Sequence, residues 1–215
     1  RPDSGEIYVA NTEALNLMHF DTNLRGHFID NRMARINPAD GSVTNYDLNP
    51  GIDYNVLPNL AAKSNALSQP TAIVFDGSGS NLYVTSFGTD RIAKLDPDGN
   101  ILARIEVGPP TEFGSEIDSR NMRGPRGLAL NAATGRLYVL NRIANTLTVI
   151  DTTNDVVLKE IPIGSFDPTP TAIRQGRGFL YDAKQSGNGT ASCAGCHIDS
   201  DMDFLAWDLG NPGGE

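Results

Sequence analysis

Two cysteines three positions apart, followed at once by a histidine, are the residues of this chain whose spacing points most directly to chemistry. They are Cys193, Cys196 and His197, and the chain has no other cysteine. C-x-x-C-H is the spacing at which a polypeptide attaches a c-type haem. The two thiols add to the vinyl groups of the porphyrin, and the histidine binds the iron as its proximal axial ligand. The motif therefore predicts one covalent haem c held by these three side chains.

Three other uses of the same residues stay open from the sequence. A thioredoxin-like pair begins a helix in a βαβ unit, and the sequence around the motif does not have the pattern of such a unit. A zinc site would need a fourth ligand besides Cys193, Cys196 and His197. His19 or His27 would have to supply it from far away in the sequence. A disulfide would close a very short loop, which limits the stability it could add.

The iron of a c-type haem has a second axial position, and few residues of the chain could fill it. His19 and His27 both lie in the segment 12–31, and His27 is the stronger candidate for the distal iron ligand. A histidine or methionine at this position favours electron transfer, whereas an open position permits chemistry with peroxide or another small ligand. The thioether candidates are Met18, Met33, Met122 and Met202, of which the last follows the motif too closely to reach the opposite face of the haem.

Four further side chains could contact the haem. Phe204 and Trp207 follow the motif and could form an apolar wall that excludes water from the iron. The same two residues could equally belong to an ordinary small core. Arg174 and Arg177 precede the motif and could pair with the haem propionates, or could be solvated side chains.

The sequence before the motif repeats itself. Similar segments begin at Pro70 and Pro125, each about forty residues long. Leu82-Tyr83-Val84 of one corresponds to Leu137-Tyr138-Val139 of the other. Each copy contains short β-branched and aromatic runs separated by turns rich in Gly, Asn and Asp. This pattern predicts one four-stranded unit that is used repeatedly.

Repeated four-stranded units predict an all-β fold, a β-propeller of four-stranded blades in a partial or small ring. We expect this propeller over residues 1–182 and a short irregular or helical c-type haem segment over residues 183–215. A typical ring has about four to eight blades, so we expect the sequence to be a piece of something larger. The blade-like units are expected at about 5–57, where the copy begins inside its second strand, at 69–108, at 124–164, and, incomplete, at 168–182.

The repeats resemble the YVTN-type β-propellers, because 8–11, 83–86 and 138–141 read YVAN, YVTS and YVLN at the family's signature position. The stretch 176–214 resembles exported bacterial proteins in which a cytochrome c-type segment is set into or follows such a propeller. In those relatives a further segment like the dihaem cytochrome c peroxidases commonly follows. Its catalytic haem and second C-x-x-C-H motif are missing from this sequence, so the resemblance implies haem binding rather than peroxidase activity of this chain.

Composition narrows the set of partners. The formal net charge of -9 and the pI near 4.7 argue against nucleic acid and against an anionic membrane surface. Nothing in the sequence is apolar for long enough to span a bilayer. Covalent haem attachment takes place outside the bacterial cytoplasm, so we expect a periplasmic or extracellular protein whose export signal has been removed or left out.

These observations predict an exported electron-transfer protein in which the propeller is a docking platform. The partner would be a redox protein or a further domain of the same polypeptide. Two alternatives remain, namely the electron-relay part of a larger dihaem peroxidase-like or oxidase-like enzyme, and a haem-free binding propeller. We assign no catalytic residue, since the sequence has no G-x-S-x-G, P-loop or dinucleotide fingerprint.

Overall fold

The computed structural model describes residues 1–15, 26–108, 117–197 and 201. Within these ranges the chain is mostly β, with eleven strands in three antiparallel sheets and few helices. In each sheet, every strand pairs with the strands before and after it in sequence. The prediction of a predominantly β fold is confirmed, and the arrangement is propeller-like.

The three sheets are consecutive along the chain. The first contains β1 (Ile7–Ala14), β2 (Ile29–Ile36) and β3 (Val43–Asp47). The second contains β4 (Pro70–Phe75), β5 (Leu82–Ser86), β6 (Arg91–Leu95) and β7 (Ile101–Glu106). The third contains β8 (Pro125–Asn131), β9 (Arg136–Asn141), β10 (Thr146–Asp151) and β11 (Val156–Pro162). The second and third sheets each have the four-stranded order of a propeller blade.

The second sheet lies between the other two, and its strand β5 is buried along its whole length. Leu82 and Val84 belong to the same core as Met33 of the first sheet. Tyr83 belongs to a second core with Val139 of the third sheet. Successive side chains of a strand point to opposite faces of the sheet. A strand that is covered on both faces needs apolar side chains at consecutive positions. The triplet 82–84 of β5 meets this requirement.

Aspartate side chains hold the hairpin turns of the second sheet. Asp96 Oδ1 accepts hydrogen bonds from the backbone N–H groups of Asp98 at 3.0 Å and Asn100 at 2.9 Å. Asp76 Oδ1 accepts in the same way from Ser80 N–H at 3.0 Å. Short carboxylates that satisfy backbone N–H groups two and four residues ahead favour tight turns. Residues 96–100 thus form the hairpin turn between β6 and β7.

The sequence-based prediction of a fourth sheet unit at 168–182 is wrong, because residues 171–181 form a helix. This helix is α2 (Thr171–Tyr181), with Pro170 as its N-cap residue, and α1 is the short helix Leu60–Lys63. The alanine, arginines, glutamine and leucine within α2 have high helix propensity. In the described part of the chain, neither helix has the length and apolar character needed to cross a bilayer. Short 3₁₀ turns complete the fold at Phe87–Thr89, Ser119–Asn121, Ala183–Gln185 and Cys193–Gly195.

Helix α2 lies directly on the backbone of the turn Ser119–Asn121. Its contact residue is Gly178, which is buried. A Cβ atom at this position would overlap the carbonyl oxygen of Ser119 and lie 2.8 Å from its carbonyl carbon. Gly176 of the same helix has no atom within 4 Å of the corresponding position. The absence of a side chain at 178 therefore permits the close approach of the helix to the turn.

Gly178→Ala is expected to lower the free energy of unfolding by about 1–3 kcal/mol, because the helix must move away from Ser119. Gly176→Ala is the matched control, and should raise it by about 0.5–1 kcal/mol because alanine loses less conformational entropy than glycine in a helix. Urea denaturation followed by circular dichroism measures both effects. Equal effects of the two substitutions would contradict the close approach.

Candidate functional site

The segment 182–197 carries the C-x-x-C-H motif, and buried hydrogen bonds attach this segment to the sheets. The carbonyl oxygen of Thr190 accepts from Asn31 Nδ2 at 2.9 Å and from Ser68 Oγ at 2.8 Å. Asn31 belongs to β2, and Ser68 precedes β4. Asn188 Nδ2 donates to the carbonyl oxygen of Gly26 at 2.7 Å. The residues just before the motif are thus held by two different sheets.

A buried group of charges attaches the same segment to the second sheet. Lys184 Nζ lies 3.4 Å from Asp90 Oδ2 and 3.9 Å from Asp182 Oδ2. The three residues are only 5%, 0% and 2% exposed. Asp90 Oδ1 also accepts from the backbone N–H of Gly124 at 2.8 Å, and Asp182 Oδ2 accepts from Ser119 Oγ at 2.9 Å. Burial raises the pKa of the Asp182 carboxyl, and the Lys184 ammonium and the Ser119 hydroxyl oppose that shift.

The motif itself forms one tight turn. The backbone N–H groups of Cys196 and His197 both donate to the carbonyl oxygen of Cys193, at 3.2 Å and 2.9 Å. No disulfide joins the two cysteines. Behind them, Ala194 is buried, and a Cβ on Gly195 would lie 2.7 Å from Ile29 Cδ1. The turn therefore packs against β2 with its small residues, which leaves the two cysteines on its less buried side.

The imidazole of His197 is oriented by the backbone. Its Nδ1 lies 3.0 Å from the carbonyl oxygen of Asp201. A carbonyl only accepts hydrogen bonds, so Nδ1 is the donor in this contact, and in the neutral ring Nε2 keeps its lone pair. Histidines that bind a metal commonly donate their other ring N–H in this way, which fixes the tautomer and the orientation of the ring.

Both thiols and the imidazole line one cavity of about 400 Å³, here called the cysteine cavity. Phe28 and Phe179 contribute its aromatic wall. Two thiols and an imidazole nitrogen beside one largely apolar cavity are the protein groups that a covalent haem c needs. The residues of the site fit that group. Cys193, Cys196 and His197 would hold it, and Phe28 and Phe179 would shield it from water.

The two residues predicted to form the apolar wall, Phe204 and Trp207, lie outside the described residues. The wall that the structure does describe consists of Phe28 and Phe179. A weak signal for both is present in the sequence, because Phe28 adjoins His27 and Phe179 precedes the motif by fourteen residues. Neither position could be assigned to the site without knowing how the chain returns to the motif.

His27 does not line the cysteine cavity, although its neighbour Phe28 does. Its Nε2 lies 2.5 Å from Asp30 Oδ1, and its ring stacks on Tyr54 with centroids 3.6 Å apart. Binding iron through this nitrogen would require the contact with Asp30 to break. The distal-ligand role of His27 stays a prediction.

The remaining candidates are spread through the molecule. Met33 and Met122 are buried in core clusters. Arg174 lines a cavity of about 470 Å³, Arg177 lines another of about 250 Å³, and neither lines the cysteine cavity. Within the described ranges, no three or more His, Cys, Asp or Glu side chains form a cluster that could hold a metal ion. The other candidates, His19, Met18 and Met202, lie outside those ranges.

Comparison with known proteins gives similarity of fold over part of the chain. No protein-family model matches the sequence, and no curated protein matches it. Virginiamycin B lyase from Staphylococcus aureus is similar over 66% of this chain and 36% of that chain, with 23% identity and a TM-score of 0.41. AztD from Citrobacter koseri is similar over 62% of this chain and 30% of that chain, with 18% identity and a TM-score of 0.40.

A chain of a nidogen/laminin complex is similar over 75% of this chain and 44% of that chain, with 15% identity and a TM-score of 0.44. These three proteins are propeller-like. The matched region spans between 30% and 44% of their lengths.

Lys184→Met is expected to lower the free energy of unfolding by about 3–5 kcal/mol, because it leaves the carboxylates of Asp90 and Asp182 buried without a cation. Lys159→Met on the exposed strand β11 removes the same charge and should change the stability by no more than about 0.5 kcal/mol. Denaturant unfolding of both variants is the measurement. If they prove equally stable, the buried charges do not hold the segment.

Proposed function

We propose that this protein is a c-type haem protein that transfers electrons. Cys193 and Cys196 form the two thioether bonds, and His197 Nε2 binds the iron. The observation that carries the proposal is that two thiols outside any disulfide and an imidazole held by a backbone carbonyl line the same largely apolar cavity. When bound, the haem supplies reversible one-electron chemistry at its iron.

The protein's own residues have three tasks in this proposal. The Asp201 carbonyl keeps the His197 ring in one tautomer and one orientation. Phe28 and Phe179 exclude water, which influences the reduction potential. The anchored segment 182–197 prevents the motif from moving relative to the sheets, so that the haem keeps a constant environment.

The propeller-like sheets serve as a docking platform for a redox partner protein or a further domain of the same polypeptide. With a formal net charge of -9, the chain favours a partner that presents a basic face. Because covalent attachment takes place outside the bacterial cytoplasm, the proposed location is the periplasm or the extracellular space. A haem-free binding platform is the second candidate, supported by the propeller-like fold and the cavities it contains.

The proposal predicts that protein produced together with a haem c maturation system keeps about 0.6 kDa of extra mass after denaturation, since thioether bonds survive unfolding. Cys193→Ala and Cys196→Ala should each reduce the fraction of protein that carries this mass. Gln185→Ala, which changes another residue of the cysteine cavity, is the control and should keep it. Intact-mass spectrometry decides the matter. A colourless protein with the mass of bare polypeptide would favour the haem-free platform.

His197→Ala is expected to leave the haem covalently attached but to change the spin state and the Soret spectrum of the iron, because its proximal ligand is lost. An unchanged spectrum would rule out His197 as that ligand. His27→Ala is the parallel test of the distal position. A spectral change there identifies His27 as the second ligand, and an unaltered spectrum contradicts that assignment.

A further inference from the structure

A second cavity of about 310 Å³ lies on the opposite side of the turn 193–197 from the cysteine cavity. Ala194 and Gly195 line it, whereas Cys193 and Cys196 line the cysteine cavity. Ser192 lines both. We call this second space the amide cavity, because Asn11 of β1 and Gln69, the residue before β4, both line it.

Several buried polar atoms without partners belong to residues that line the amide cavity. Among the described residues, eight buried side-chain nitrogen or oxygen atoms have no hydrogen-bond partner. Three of these eight, namely Asn11 Oδ1, Gln69 Oε1 and Ser192 Oγ, belong to residues that line this one cavity. A buried polar atom without a partner costs about 1–3 kcal/mol. A ligand with hydroxyl or amine donors would satisfy the two amide oxygens and the serine hydroxyl.

The backbone of Gln69 is held in an unusual conformation. Its φ is 53°, in the left-handed region that residues other than glycine seldom adopt. Its backbone N–H donates to Asn31 Oδ1 at 2.8 Å. Asn31 also holds the carbonyl of Thr190 in the segment that carries the motif. The hydrogen bond to Asn31 thus stabilises the strained backbone of Gln69. Strained backbone of this kind is common at binding sites.

Unpaired positive charge adjoins the same cavity. Arg126 lines the amide cavity and also a neighbouring cavity of about 250 Å³, which Arg142 and Arg177 line as well. Within the described residues, none of these three arginines forms an ion pair with a carboxylate. Arg177 also acts electrostatically on the Asp167 carboxylate, so the positive potential beside the cavity comes mainly from Arg126 and Arg142. That potential selects an anion.

We propose that the amide cavity binds a small organic carboxylate that also carries a hydroxyl or amine group. The carboxylate pairs with the Arg126 guanidinium, and the donors of the ligand reach Asn11, Gln69 and Ser192. Phe87 and Tyr181 supply apolar walls. The volume is at the lower end of the range of about 300–1,000 Å³ for small-molecule sites, which suits a hydroxy or amino acid.

Calorimetric titration of the purified chain tests the proposal with four probes, namely L-lactate, L-serine, acetate and glycerol. At least one of the two acids should bind with a Kd of about 1 mM or tighter. Acetate lacks the donor and glycerol lacks the carboxylate, so each should bind at least about tenfold more weakly. Absence of lactate and serine binding up to about 10 mM would overturn the proposal.

Substitutions identify the groups that bind. Arg126→Gln should weaken the binding of every carboxylate by about tenfold or more. Ser192→Ala and Gln69→Gly should weaken lactate or serine but not acetate, and glycine suits the left-handed backbone at position 69. Arg174→Gln, which removes an arginine that lines a different cavity, is the control and should bind as the wild type does. Wild-type affinity in all three test variants would refute the site.

The binding site does not depend on the haem. The titrations are therefore repeated on Cys193→Ala/Cys196→Ala protein, in which the amide cavity keeps all its lining residues. Retained binding in this variant separates the site from the haem proposal, and loss of binding would show that the amide cavity is not a site of its own. In haem-loaded protein, saturation with the ligand should shift the Soret maximum, because the occupant contacts the back of the same turn. A static Soret maximum at saturation would contradict that placement.

Discussion

The buried contact of Lys184 with Asp90 and Asp182 is the interaction on which the rest of the site depends. Charges that are almost fully removed from water are strongly unfavourable unless an opposite charge lies beside them. The segment 182–197 is therefore held in the position in which Lys184 contacts the carboxylate of Asp90, just before β6. A mobile tail could not define two cavities on the two sides of one short turn.

Hydrogen bonds to two sheets complete this attachment. Asn31 of β2 and Ser68 before β4 donate to the same carbonyl oxygen, that of Thr190, three residues before Cys193. These two hydrogen bonds fix the position at which the turn 193–197 begins. One of its sides presents thiols and an imidazole to aromatic residues, and its other side faces two amides and an arginine. One anchored turn thus separates two cavities with different linings.

Repeat patterning predicted the sheets well and the C-terminal region poorly. The triplets at 82–84 and 137–139 lie in β5 and β9, the second strands of two successive sheets. The tetrapeptide Pro-Thr-Ala-Ile occurs at 70–73 and at 170–173, where it begins β4 and α2 respectively. In the first copy Val74 and Phe75 continue a strand that pairs with β5. In the second, Arg174 and Gln175 follow and continue a helix.

The sequence by itself determined that two thiols and an imidazole lie within five residues of each other. This spacing is a property of the covalent chain, so no fold can change it. Only the tertiary structure decided which residues surround these three side chains. Phe28 and Gln69 come from 165 and 124 residues before Cys193 in the numbering of the chain. Contacts across such distances depend on how the sheets stack and where the buried lysine holds the returning segment. Local sequence patterns predict the strands that make such contacts, but they do not predict which side chains of different strands contact each other.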